Sequence, residues 1–431
     1  MHHGLWPAAK WGGSMTTRRI PALLDDAIKL DESNFAEVVR GLPAKARMVL
    51  SAASKLAYGS LKVTMPDGRK VLLGGKGPGP QAEIVLNNWK LPRRAYIGGT
   101  IGLAESYVDG DWHSPDVTSF LELFVRNVET GESVAPGSGW LTNAIQRFRH
   151  WLNANTKVGS KRNISAHYDL GNEFYKKWLD ASMTYSSALF STGANDLESA
   201  QAAKYRALAK DTGMGRGDHV LEIGCGWGGF AEFAAREIGC RVTGLTISQE
   251  QFAYATERMA KAGLSDRVQI KLQDYREETG KYDRIASIEM FEAVGEKYWP
   301  TFFGKMKSSL KEGGTAGLQI ITINEAAYKT YRARPDFIQR YVFPGGMLPT
   351  PALLKSLGAD QGLTYLKDRI FPQDYARTLA EWRQRFWASW DKIVPLGFDE
   401  RFKKLWEFYL YYCEAGFRAE YIDVRQVVYK A

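Results

Sequence analysis

The stretch Val220-Leu-Glu-Ile-Gly-Cys-Gly-Trp-Gly-Gly229 decides the fold. A short apolar strand ends at Ile223 and runs straight into a glycine-rich turn. Glycine lets the backbone turn tightly against a ligand. The helix that follows then points its N-terminus at that ligand. Gly224 to Gly229 also fits the dinucleotide spacing G-x-G-x-x-G, a weak signal by itself. Two features argue against a nicotinamide site. Glu222 lies inside the strand, and the second strand ends Gly244-Leu-Thr-Ile-Ser248 with no acid where a ribose-binding carboxylate is expected.

Glu222 placed in this way is instead a feature of S-adenosylmethionine-dependent methyltransferases. The surrounding pattern agrees. Strands are expected at 219–223, 241–245, 268–272, 283–288 and 315–323, with helices at 229–237, 249–261 and 298–310 between them. Gly313-Gly314 would close the last helix. Such alternation means a parallel sheet with crossover helices. An aromatic-rich helical stretch, roughly 335–415, interrupts it, and 365–371 and 424–429 read as the final strands. The fold class is α/β: a doubly wound, Rossmann-like class I methyltransferase domain with a helical insertion.

The first third of the chain reads as a smaller α+β domain. Leu61 to Met65 alternates, Pro66-Asp-Gly68 signals a hairpin turn, and Val71 to Leu73 would return. A further strand begins at Glu83, and Gly98 to Gly110 looks like a glycine-rich entry to a short helix. Turn-forming stretches at 131–139 and 153–162 flank a short helix at 140–152, so the boundary is expected near residue 150. The domains are taken as 15–150 and 151–431, since Met15-Thr-Thr-Arg-Arg19 resembles a second start.

Three scattered cysteines suit a reducing cytoplasm and hold no metal-ligand spacing. No apolar run has the length of a membrane span. The formal charge of +9 points to an anionic partner surface, nucleic acid or lipid headgroups alike.

Longer motifs narrow the choice. His167-Tyr-Asp-Leu-Gly-Asn-Glu-Phe-Tyr175, Met183-Thr-Tyr-Ser-Ser187, Gly244 to Gln251, Gln273-Asp-Tyr275, Met290-Phe-Glu-Ala-Val-Gly295, Tyr341-Val-Phe-Pro-Gly-Gly346 and Gly416-Phe-Arg-Ala419 join the glycine turn. Together they resemble the cyclopropane fatty acid synthases, including the mycolic acid cyclopropane synthases, over most of 160–431. The resemblance implies a peripheral enzyme on the cytoplasmic membrane face that acts on phospholipid acyl chains and not on nucleic acid. It also allows a homodimer.

For S-adenosylmethionine, the resemblance implies Glu222, Gly224, Gly226 and Gly228 at the methionine part. Tyr185 and Ser186 would reach the cofactor from the preceding segment, Thr246 and Gln251 would meet the ribose, and Asp274 and Tyr275 the adenine. For catalysis it implies a bicarbonate ion as base. Glu292, Tyr375 and Gln319 would hold it, with backbone help at Ser187 and Ile321. Gln319 stands where the family has His, and Ala293 where many members have His. The chemistry suits these residue types. An alkene attacks the cofactor methyl without prior deprotonation, and the resulting carbocation loses a proton and closes a ring. Tyr168, Phe174, Tyr175, Phe291, Phe337 and Tyr341 are candidates to face that cation. Arg383, Arg385, Arg401, Lys403 and Lys404 are candidates for headgroup contact. The alternatives are methylation without ring closure and a non-catalytic lipid-binding protein.

Overall fold

The computed structural model describes residues 26–128 and 170–431. The expected helix at 140–152, its flanking turns and the boundary near 150 lie outside them. Among the described residues the N-terminal part holds a five-stranded sheet of order β1-β3-β2-β4-β5. Its strands are β1 (Ile28–Lys29), β2 (Tyr58–Thr64), β3 (Lys70–Gly74), β4 (Gly77–Leu86) and β5 (Trp112–His113). The hairpin expected around Pro66-Asp-Gly68 is present, with β2 and β3 antiparallel. Gly98 and Gly99 stand where two helices meet, so the expected glycine-rich entry to a short helix is present. They lie within Lys90–Val108, which kinks where Gly99 takes φ 55° and ψ −133°. That conformation is open to glycine and breaks the run of helical hydrogen bonds.

The second sheet has seven strands: β6 (His219–Ile223), β7 (Arg241–Thr246), β8 (Val268–Leu272), β9 (Tyr282–Ile288), β10 (Leu310–Ile323), β11 (Thr364–Ile370) and β12 (Ile422–Lys430). Their order is β11-β12-β10-β9-β6-β7-β8. The five strands from β6 to β10 are parallel, whereas β12 runs antiparallel to both β10 and β11. The expectation of a parallel sheet thus holds for β6 to β10 and fails at β12, which alone runs against the rest. Val220, Leu221 and Ile223 are all buried, as expected for a strand covered by helices on both faces. Gly313 and Gly314 do not end a helix. The helix Trp299–Ser309 stops earlier, and the glycines sit in β10 at a register shift between Leu310 and Thr315. A bulge of this kind is a common use of glycine inside a strand.

Strand β6 sits between β7 and β9, so the chain winds outward on one side of it and returns on the other. The crevice beyond the C-terminal ends of β6 and β9 is therefore the topological switch point, where open α/β sheets bind ligands. Helices between 325 and 418 cover it.

The N-terminal part packs on the long helix Glu400–Arg418. Tyr107 Oη donates to Glu407 at 2.7 Å, and Arg126 donates to the Arg418 carbonyl at 2.9 Å. Glu414 is fully buried at the centre of this contact. It accepts from Arg383 at 2.8 Å, from Arg418 at 2.5 Å and from Thr118 of the N-terminal part at 3.2 Å. Of the basic residues expected to touch headgroups, Arg383 is spent inside the molecule, whereas Arg385 and Arg401 pair with acids at the surface. Arg383 pairs with Glu414, Arg385 with Glu198, and Arg401 with Asp109. Removing a buried charge partner strands the others. Glu414→Ala should lower stability in urea by about 3 kcal/mol, whereas exposed Arg401→Ala should change it by about 0.5 kcal/mol or less. Equal effects of the two would contradict the assignment of Glu414 as the anchor.

Candidate active site

The turn after β6 forms a cradle. Gly224, Gly226 and Gly228 have φ of 82°, 52° and 83°. A Cβ on Gly224 would come within 2.5 Å of Met290, so the position has no room for a side chain. A Cβ on Gly226 would meet no protein atom within 4 Å and would project into open space. That space is a cavity of about 360 Å3 at the switch point, lined by Gly224 and Gly226 of the cradle and, at the end of β9, by Ile288 to Met290 and Glu292 to Val294, whereas Gly228 faces Ala255 and Met259. Glu222 lines it from within β6. Its Oε2 is buried and has no hydrogen-bond partner. Burial holds its carboxyl well above the usual range, against the charges of Arg258 and Lys204. An orphaned buried carboxyl oxygen beside a glycine cradle suits the ammonium group of a methionine moiety.

The other expected cofactor positions border the same cavity. Thr246 donates its hydroxyl to Gln251 Oε1 at 2.9 Å, which fixes the Gln251 amide. Asp274 accepts from Arg276 Nε at 2.9 Å and Nη2 at 2.6 Å, and Tyr275 packs on Phe302. Tyr185 shares a hydrogen bond of 2.8 Å with Tyr409, and Ser186 accepts from Lys204 Nζ at 2.6 Å.

The expected catalytic residues converge, but on a side chain that sequence reasoning missed. Glu289 follows β9 and lines the cavity. Its Oε1 accepts from the Ser187 backbone N–H at 2.9 Å and from Gln319 Nε2 at 2.8 Å. Its Oε2 accepts from the Tyr375 hydroxyl at 2.6 Å. Gln319 is oriented from behind: its Oε1 accepts from Gln426 Nε2 at 3.0 Å, and the same nitrogen reaches the Lys204 carbonyl at 3.1 Å. Tyr375 stacks on Phe417 with ring centroids 4.3 Å apart. Lys204 is wholly buried. Burial pulls its ammonium down, opposed by the charges of Glu289, Asp180 and Glu222. Burial pushes Glu289 up, opposed by Tyr375, Lys204, Gln319 and the Ser187 N–H.

Glu292 stands apart from this cluster. Its Oε1 accepts from the Ile321 N–H at 2.6 Å, and its Oε2 is buried without a partner. Burial, and next the Glu289 charge, push its carboxyl up to about 8. A bound bicarbonate does not fit this arrangement. The Gln319 and Tyr375 donors implied for it are both taken by Glu289, and the Ser187 carbonyl, implied as a backbone contact, already accepts from Gln319 Nε2 at 3.3 Å. Glu289 had one legible signal: an acid directly before the Met290-Phe-Glu motif, at the end of a strand aimed at the switch point.

The aromatic candidates for the cation also need correction. Phe174, Tyr175, Phe291 and Phe337 are core residues, and Tyr341 is exposed with its hydroxyl on Glu105. None of these five borders the cavity, and Tyr168 lies outside the described residues. The rings that do border it include Tyr185, Tyr375, Tyr409 and Phe417. The segment 335–415 supplies one wall, and Val125 of the N-terminal part contributes to the lining. Among the described residues no group of His, Cys, Asp and Glu could hold a metal ion, and no helix is long and apolar enough to cross a membrane.

A cradle of this form at the switch point of this sheet places the chain among the class I S-adenosylmethionine-dependent methyltransferases. The comparisons narrow the class. The family model described as "Mycolic acid cyclopropane synthetase" matches residues 155–427, and the chain belongs to that family. It is 40% identical over 374 residues to tuberculostearic acid methyltransferase UfaA1 of Mycobacterium tuberculosis, covering 85% of this chain and 86% of the relative. It is 35% identical over 367 residues to the cyclopropane-fatty-acyl-phospholipid synthase of Escherichia coli K12, covering 83% and 90%. The solved cyclopropane synthase MmaA2 of Mycobacterium tuberculosis aligns with a TM-score of 0.59 at 29% identity, over 63% of this chain and 98% of its own. The protein is thus an S-adenosylmethionine-dependent enzyme of a family that acts on lipid acyl chains.

Two outcomes follow. Gly226→Val should abolish S-adenosylmethionine binding in calorimetry, because the side chain enters the cavity and a branched residue resists a positive φ. Wild-type affinity in that variant would contradict the cradle. The second outcome concerns pH. Glu292 holds its proton to about 8 in the folded chain against an ordinary 4.5, so folding favours the protonated form. The stability it contributes is full below the unfolded value and is lost as pH rises through the folded one. Glu292→Gln should therefore gain thermal stability relative to wild type as pH rises from about 4.5 to about 8, and keep that gain above it. A pH-independent difference would place the Glu292 carboxyl in water.

Proposed function

We propose that the protein adds the methyl carbon of S-adenosylmethionine to the cis double bond of an unsaturated phospholipid acyl chain and closes a cyclopropane ring. The observation that carries this reading is one cavity that joins the glycine cradle to the Glu289 cluster between largely apolar walls. A hydrocarbon chain suits such walls, and an alkene needs no base to become a nucleophile.

Glu222 would hold the ammonium of the cofactor, with Gly224 and Gly226 leaving it room. Tyr185 and Ser186 would border its reactive end. Thr246 and Gln251 would meet the ribose, and Asp274 and Tyr275 the adenine. Bound there, S-adenosylmethionine supplies an electrophilic methyl group. Tyr185, Tyr375, Tyr409 and Phe417 would turn ring faces or edges toward the acyl chain, and an aromatic face stabilises a nearby cation. The enclosed wall keeps water from trapping that cation.

A second reading is favoured by the 40% identity to a protein named as a tuberculostearic acid methyltransferase. The same cation also leads to a methylene branch in place of a ring: a 1,2-hydride shift moves the charge onto the carbon that carries the new methyl, and loss of a methyl proton then forms a C=CH2 bond. A saturated methyl branch would further need a reductant.

The chain's +9 charge suits an anionic membrane surface as the source of the acyl chain. Vesicles of unsaturated phosphatidylglycerol with S-adenosylmethionine should yield acyl chains heavier by one CH2 group, at a rate that falls as salt screens the surface. A ring product resists ozonolysis, whereas a methylene product is cleaved. Unmodified acyl chains at every salt concentration would overturn the reading.

A further inference from the structure

We propose that the Glu289 carboxylate is itself the base of the reaction, a fixed side chain standing where the resemblance implied an exchangeable bicarbonate. The inference rests on the alkene reading above and names the group that completes it.

The geometry of the carboxylate is the first support. It accepts three hydrogen bonds, from the Ser187 N–H, Gln319 Nε2 and the Tyr375 hydroxyl. A carboxylate has roughly four acceptor sites. Oε1 carries two of the bonds and Oε2 one, so Oε2 keeps a lone pair for a proton. The donors come from three separate parts of the chain and hold the group rigidly. Placement is the demanding part of deprotonating a carbocation, because the cation is so strong an acid that any well-placed base suffices.

The backbone gives the second support. Glu289 has φ 50°, one of three non-glycine residues with positive φ among the described residues. A non-glycine residue in that region is strained and persists where the surroundings enforce it. Here the enforcement is the hydrogen-bond set itself, together with the Glu289 N–H donating to the Gln319 carbonyl at 2.8 Å. The strained turn aims the carboxylate into the cavity.

The third support is the contrast with Glu292. Both glutamates border one cavity. Burial pushes Glu289 up, but three donors and the nearby Lys204 charge oppose it in favour of the ionised form. Glu292 has a single backbone donor and one unanswered oxygen. Two buried carboxyls with such different surroundings divide into a charged member and a neutral one. Glu289 is the charged member.

The step balances without a co-reactant. A C–H bond of the newly attached carbon breaks in the acyl cation. Its electron pair becomes the closing carbon–carbon bond, and the proton forms an O–H bond with Glu289. Release of the product returns that proton to water.

The test uses the full chain, the same vesicles and buffer stripped of bicarbonate. The wild type should keep its full rate there. Glu289→Gln should lose at least about 100-fold in kcat with S-adenosylmethionine affinity unchanged, in line with removal of a general base. Glu289→Gly relieves the positive φ and frees the three donors. It should be equally slow in stripped buffer and regain at least about tenfold when bicarbonate is added. The neutral amide of Glu289→Gln blocks the site and should not be rescued. Bicarbonate dependence of the wild type, or wild-type turnover by Glu289→Gln, would overturn the inference while leaving the alkene reading intact. A wild type that binds S-adenosylmethionine but modifies no acyl chain would overturn both.

Discussion

A carboxylate removed from bulk water has to be met by donors or by positive charge. At Glu289 that requirement is met by side chains drawn from across the methyltransferase fold. The strand β10 brings Gln319, the helix Pro372–Ala388 brings Tyr375, and the segment before Leu197–Thr212 brings the Ser187 N–H. Strand β12 supplies Gln426 to orient Gln319, and Lys204 lies on the helix whose neighbour Ser186 borders the cofactor cradle. The antiparallel pairing of β12 against β10 places Gln426 opposite Gln319 in register, so sheet topology and site geometry are one arrangement.

The same packing shapes the cavity. The parallel strands open a crevice beside β6, the glycine turn clears one end of it, and the helices of 325–418 roof the other. The long helix Glu400–Arg418 serves two masters. Tyr409, Tyr412 and Cys413 face the cavity, while Glu407 and Glu414 hold the N-terminal part. Through that contact Val125 reaches the lining, which makes the N-terminal part a wall of the site and not only an appendage.

Much of this was legible in the sequence, for identifiable reasons. Strands such as β8 and the helix Gln249–Lys261 fell where hydrophobic periodicity placed them, because local pattern and tertiary burial agree there. Gly313 was misjudged because glycine marks a bulge and a helix end with the same letter. Residues that border the cavity beside the glycine turn were legible through that turn and Thr246. The aromatic lining was not, since Phe174 and Phe417 look alike in a sequence and only packing separates core from cavity wall. Glu289 was passed over because its role depends on donors that lie between 30 and 102 residues away along the chain.

The central claim is that a methyl carbon is joined to an alkene and then loses one hydrogen to a base in the protein. S-adenosylmethionine carrying a fully deuterated methyl group tests this most directly, with the modified acyl chains read by mass spectrometry. The account predicts that each product chain retains two of the three deuterium atoms, whether the product is a ring or a methylene branch. Retention of all three would contradict it, because the proton would then have left from the acyl chain and not from the transferred carbon.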